Sequence, residues 1–237
     1  MFRLFFVPII LSLAITGGIL LKGSLIKLPV QPVEEKVANA DNGGNTAFVE
    51  EIKSSSGEWV DNAGSPIFDN QIITGLPSRF VAEAPYGVLG STTAADGSEK
   101  WIEVDLGDQK LFAWEGGRKV YEFAISSGRP GYKTVTGEFR VWRKVDSQRY
   151  VGGSKARGDY YNLPNVPWSL FFYRGYAIHG AYWHNDFGIK RRSSGCVNLH
   201  PDNARQVYFW AGPAMPEGKK AINSTSDNPG IRVVVHN

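Results

Sequence analysis

The chain has 237 residues, enough to bury one substantial core, and its 27 glycines, 13 prolines and 13% aromatic content argue for a loop-rich β domain against a helical bundle. The formal net charge of +3 divides into −5 over residues 1–99 and +8 over residues 100–237, a basic half that suits an anionic partner. Nucleic acid is set aside as that partner because no helix-turn-helix pattern, zinc-finger spacing or aromatic-rich RNA motif is present. The single cysteine, Cys196, excludes an intramolecular disulfide.

Residues 4–21 run without a charge between Arg3 and Lys22, long enough to span a bilayer or act as an export signal. Pro8 and the pair Gly17-Gly18 argue against a buried core helix. The nearest small-x-small site, Ala38-Asn39-Ala40, lies well past the apolar run, so residues 1–28 are expected to form an uncleaved signal anchor, a membrane helix. Lys22 and Lys27 on the far side leave its orientation unread by charge.

Residues 29–98 alternate short apolar fragments with Gly, Ser, Pro, Asn and acids, and are expected to be a mostly irregular linker with a short strand or two docked on the domain. Fully flexible, about seventy residues would reach roughly 45–50 Å. From Trp101 the hydrophobic period becomes two, with Ile102, Val104 and Leu106 alternating against Glu103 and Asp105. Strands are expected over residues 101–106, 110–114, 119–125, 136–142, 168–173, 176–179 and 231–235, separated by Gly-containing turns. Pro201, Asp202, Ala204, Val207 and Tyr208 predict a helix that Gly212-Pro213 stops, and residues 214–230 read as a polar loop.

The residues that carry chemistry are Tyr176-Ala177-Ile178-His179-Gly180 and Ser193-Ser194-Gly195-Cys196-Val197-Asn198-Leu199. Glycine before the cysteine lets the backbone bend and turn its N–H groups toward a ligand, and a histidine seventeen positions upstream can serve as base. His179, His184, Cys196 and His200 match no common zinc spacing, so no metal is expected.

This stretch resembles the signature of the L,D-transpeptidase (YkuD-type) catalytic domain: a histidine, a spacer, then Ser/Thr-His-Gly-Cys, an apolar residue and Asn or Arg. The loop Gly128-Arg129-Pro130-Gly131 and the strand Thr136-Gly137-Glu138-Phe139 extend the resemblance upstream, so that it covers roughly residues 101–235. Two departures stand out. Ser194 takes the place of the family's second histidine, and the spacer over residues 180–192 is slightly short.

The resemblance implies a mainly β, L,D-transpeptidase-like β-sandwich or mixed-sheet catalytic domain with one or two short helices over residues 99–237, following the membrane helix and linker. It implies Cys196 as nucleophile, His179 as base and the carbonyl of Gly180 as the group that orients the histidine. Ser193, Ser194, Gly195 and Asn198 are the matching loop positions, and His184, Tyr132 and Arg192, with Arg191, are candidate substrate contacts. No cofactor is implied. The expected partners are peptidoglycan stem peptides, and carbapenem β-lactams as covalent inhibitors. The implied reaction releases D-alanine from a tetrapeptide stem and forms a 3→3 cross-link in the cell wall. Resolution by water would make the protein an L,D-carboxypeptidase. A catalytically silent wall-binding module and an unrelated thiol hydrolase are also compatible with these residues. The expected place of the protein is the cell envelope, at the extracytoplasmic face of the cytoplasmic membrane or in the wall.

Overall fold

The computed structural model describes residues 46–74 and 90–237. The apolar run over residues 4–21 and the Ala38-Asn39-Ala40 site lie outside them, and among the described residues no helix is long and apolar enough to cross a membrane.

The chain is mainly β, with two helices and a mixed, open sheet, the second of the two forms expected. Helix α1 is Thr46–Ser54, and the strands begin with a two-residue hairpin, β1 (Ile67–Phe68) and β2 (Gln71–Ile72). There follow β3 (Lys100–Asp105), β4 (Lys110–Glu115), β5 (Arg118–Ser126), β6 (Gly137–Arg140), β7 (Arg143–Gly152), β8 (Tyr161–Tyr173), β9 (Tyr176–Gly180) and β10 (Val197–Leu199). Helix α2 (Pro201–Trp210), β11 (Ala221–Asn223) and β12 (Arg232–His236) complete the fold. The hydrogen-bonded order is β11-β7-β8-β9-β10-β5-β4-β3-β12-β6, with the hairpin attached to β8. Pairs β9–β10 and β3–β12 are parallel and the others antiparallel.

The period-two strands bury what their sequence says they should. Ile102 and Val104 of β3, Leu111 of β4 and Val233 and Val235 of β12 join one main core. Helix α2 starts where expected: the side chain of His200 caps it by accepting from the Asp202 N–H, and Pro201 occupies its first turn. It buries Ala204, Val207 and Tyr208 against β8 and β9. Its C-terminal end is tied to β7 by Lys144, whose buried ammonium donates to Ala211 O at 2.9 Å and lies 4.4 Å from the Tyr208 ring centre. Burial drives that ammonium's pKa down to about 7, with Asp146 pulling the other way.

Three expectations need correction. The strand foreseen over residues 168–173 extends back to Tyr161 and pairs with β7, and neither β7 nor β10 was foreseen. The polar loop over residues 214–230 contains β11, which pairs with β7. Of the linker expected over residues 29–98, the short docked strands are present as β1 and β2, β1 pairing with β8, but residues 46–54 form a helix that was not expected. A nine-residue helix is marginal alone, so α1 depends on packing. Phe48 and Ile52, one turn apart, face a second cluster with Val145, Tyr150 and Phe171.

Further anchors follow along the segment. Arg143 donates to Ser55 O (2.5 Å), and Asn165 exchanges two hydrogen bonds with the Val60 backbone (2.9 and 3.0 Å). Ile67 pairs with Asn162. Because Ile52 is fully buried, replacing it with alanine is expected to cost about 2–5 kcal/mol of unfolding free energy. Chemical denaturation checks this, and an unchanged midpoint would mean the segment is not part of the folded unit.

Candidate active site

Strand β9 is buried on both faces, and its alternation divides the work. Tyr176 and Ile178 enter the main core, while Ala177 turns to the second cluster and His179 shares its side. Strand β10 does the same: Val197 and Leu199 enter the main core, leaving Asn198 and, one residue before the strand, Cys196 on the opposite face. The parallel register sets Asn198 beside His179. Extending it by one residue brings Cys196 beside Ala177 and so makes it a diagonal neighbour of His179 on the same face. Cys196, His179, Asn198, Ser193 and Ser194 all line one pocket, of about 470 Å³ counting its open mouth.

The loop before the thiol is held by Ser193. Its Oγ donates to Cys196 O (2.6 Å) and accepts from the Gly195 N–H (3.1 Å), while its backbone is pinned to Ser127 and Arg129. Gly195 has φ +119°, and a Cβ there would stand 2.4 Å from Cε1 of Tyr176, so both conformation and space require glycine. Since the Gly195 N–H is taken by Ser193, the Cys196 N–H is the main-chain donor of this pair without an acceptor among the described residues.

His179 is 2% exposed, with its ring between Tyr150 (centroids 4.9 Å apart) and Trp183 (5.8 Å). Its Nδ1 lies 3.2 Å from Gly180 O, so Nδ1 carries the proton and Nε2 is left with a lone pair. Burial lowers its pKa to about 4, the Gly180 carbonyl opposing and His184 reinforcing the shift. Burial also pushes the half-buried Cys196 thiol up to about 12, against the pull of the Ala177 N–H. At neutral pH the two groups rest as thiol and neutral imidazole. A thiol, an imidazole base and a main-chain donor are the groups that acyl transfer through sulfur requires.

His184 lies beside Asn198, its Nε2 3.0 Å from the position assigned to Nδ2 of the amide. Yet His184 Nδ1 accepts from the Asp186 N–H (3.2 Å), so the neutral ring must carry its proton on Nε2, which would set donor against donor. Asn198 Oδ1, meanwhile, is buried without a partner. Turning the amide by 180° removes the donor–donor clash and lets Oδ1 accept from His184, which leaves the NH₂ as the buried group without a partner among the described residues. Asp186 is in turn ion-paired with Arg192 (2.6 Å).

Two expected substrate contacts are engaged elsewhere. Tyr132 donates to the Asp159 carboxylate and lies under the Arg129 guanidinium, and it does not line the pocket. Arg191 donates to Leu106 O and Ser127 Oγ. The sequence reading missed the aromatic wall of Phe48, Phe68, Tyr150 and Tyr161, which line the pocket from α1, β1, β7 and β8. No motif marks these positions.

The amide orientation is open to direct measurement. Long-range ¹⁵N–¹H correlation on the His184 ring is expected to find the proton on Nε2 at neutral pH, and a proton on Nδ1 would reverse the assignment.

The chain matches the YkuD family, described as the L,D-transpeptidase catalytic domain, over residues 99–234. No match was found among curated proteins. Similar solved structures include an L,D-transpeptidase from Mycobacterium smegmatis (22% identity, TM-score 0.48, 60% of each chain covered). A cysteine-to-serine mutant of an L,D-transpeptidase from Enterococcus faecium is 26% identical (TM-score 0.45, covering 58% of this chain and 49% of that one). L,D-transpeptidase 3 from Mycobacterium tuberculosis, in complex with a faropenem-derived adduct, is 21% identical (TM-score 0.46, 60% and 61% covered). The chain thus spans about three fifths of the first of these structures. With more than half of its length matched by the family pattern, the chain belongs to the YkuD family of L,D-transpeptidase catalytic domains.

Proposed function

We propose that the protein is a peptidoglycan L,D-transpeptidase in which Cys196 is the nucleophile and His179 the base. One observation carries this reading: the β9–β10 register sets a thiol and an unprotonated imidazole nitrogen on the same face of neighbouring strands, inside one pocket. The donor is a tetrapeptide stem, attacked at the carbonyl that joins its third residue to the terminal D-alanine. Residues 4–21 support a placement outside the cytoplasmic membrane, anchored to it, with residues 99–237 as the catalytic domain and residues 29–98 as the connection.

Because thiol and imidazole rest neutral, proton transfer accompanies attack. The S–H proton moves to His179 Nε2 as the C–S bond forms, and the oxyanion is met by the Cys196 N–H. The C–N bond then breaks, and D-alanine leaves with the proton returned by the imidazolium. In the second half the amine of a neighbouring stem attacks the thioester carbonyl. His179 takes the amine's proton and gives it to the departing sulfur, which restores the thiol and leaves a 3→3 cross-link. The hydrogen bond to Gly180 O holds the ring in the tautomer that both halves need.

Incubation with a carbapenem is expected to add the mass of the drug to the wild-type chain and nothing to Cys196→Ala, read by intact mass spectrometry. Purified protein with disaccharide tetrapeptide should yield a dimer lacking one D-alanine. Hydrolysed monomer alone would point to a carboxypeptidase, and a folded wild type with neither adduct nor product would point to a silent module.

The pH profile follows from the resting state. A base whose pKa lies near 4 is lost only in acid, so carbapenem acylation should be flat from about pH 6 to about pH 9 and fall on an acid limb near pH 4. A bell with a limb near the ordinary histidine pKa would contradict the neutral pair.

A further inference from the structure

Two of the rings that wall the pocket come from outside the residues matched by the family. Phe48 belongs to α1 and Phe68 to β1, yet both line the pocket that holds Cys196 and His179. Their segment is fixed to the sheet by the Ser55, Val60 and Ile67 contacts described above. Its hairpin is locked by an ion pair between Asp69 and Arg129 at 2.7 Å. Phe48 lies 5.5 Å from Tyr150 and Phe68 lies 6.0 Å from Trp183, and those two partners are the rings that flank His179. The apolar wall therefore begins one ring away from the imidazole.

What such a wall accepts is set by desolvation. A charged or strongly polar group pressed against these rings would lose water and gain no partner, whereas hydrocarbon loses nothing and removes apolar surface from water. Trp183 adds a buried Nε1 without a partner among the described residues, a donor suited to a carbonyl oxygen beside that hydrocarbon. We propose that residues 46–74 form a specificity wall, in which Phe48 and Phe68 receive the hydrocarbon that flanks the scissile carbonyl of the acyl donor. The proposal rests on the transpeptidase reading above. It assigns donor selection in part to a segment that precedes the catalytic domain.

The test uses the full chain and its Phe48→Ala, Phe68→Ala, Phe68→Leu and Phe68→Tyr variants. Turnover of disaccharide tetrapeptide is measured beside carbapenem acylation, with thermal unfolding as a control on folding. Both alanine variants should raise KM about tenfold with a smaller change in kcat, and leucine should restore most of the loss. Tyrosine keeps the ring and its packing but brings a hydroxyl to the wall, so it should raise KM as well, and it decides the matter if an alanine variant fails to fold. Active wild type with KM unchanged across the folded variants, or with kcat alone reduced, overturns the inference by itself. Wild type that neither takes up the carbapenem nor consumes the tetrapeptide overturns the transpeptidase reading and this inference with it.

Discussion

The parallel pairing of β9 with β10 is the constraint on which the site depends. A strand presents alternate residues to opposite faces, so the burial of Tyr176, Ile178, Val197 and Leu199 in the main core commits His179, Asn198 and Cys196 to the other side. The core thereby does the positioning: the burial of these four side chains decides where sulfur and imidazole stand. A one-residue slip of either strand would turn that strand over and send its polar side chains into the core. Gly195 makes the approach to this arrangement sterically allowed, and Ser193 fixes it by bonding the carbonyl of Cys196 and the N–H of Gly195 together.

The same burial that fixes geometry sets the electrostatics. Aromatic rings on both sides of His179 strip it of water and keep it neutral, and the sulfur is desolvated in the same pocket. The polar groups around the two are tied into a chain in which Arg192 holds Asp186, the Asp186 backbone fixes the His184 tautomer, and His184 fixes the Asn198 amide. Arg192 and His184 thus shape the pocket through Asn198.

How much of this was legible depended on how regular each element is. The strands from residue 100 to residue 115 bury alternate residues, and α2 carries a proline start and a helical spacing of apolar residues, so both could be read. The Cys-His pattern was legible because glycine, cysteine and asparagine occur together at fixed spacing. Strand β8 hid behind Pro164 and Pro167, with Asn165 and Trp168 at positive φ, features that usually end a strand. Strand β7 hid for the opposite reason: Arg143, Lys144, Ser147 and Gln148 are buried, so its polar sequence did not look like an interior strand. Helix α1 is too short to announce itself, and its two useful apolar residues acquire meaning only from Tyr150 and Phe171, some hundred positions away.

Holding Cys196 as a protonated thiol has a bearing on oxidation. Peroxides and disulfides react with thiolates, and a sulfur whose acidity is suppressed to about 12 offers them almost none at neutral pH. Since the described chain has no second cysteine to rescue a sulfenic acid as an internal disulfide, a freely ionised sulfur would be exposed to irreversible loss. Desolvation therefore acts as a preservative, favouring the protonated thiol at Cys196 over the thiolate that oxidants attack.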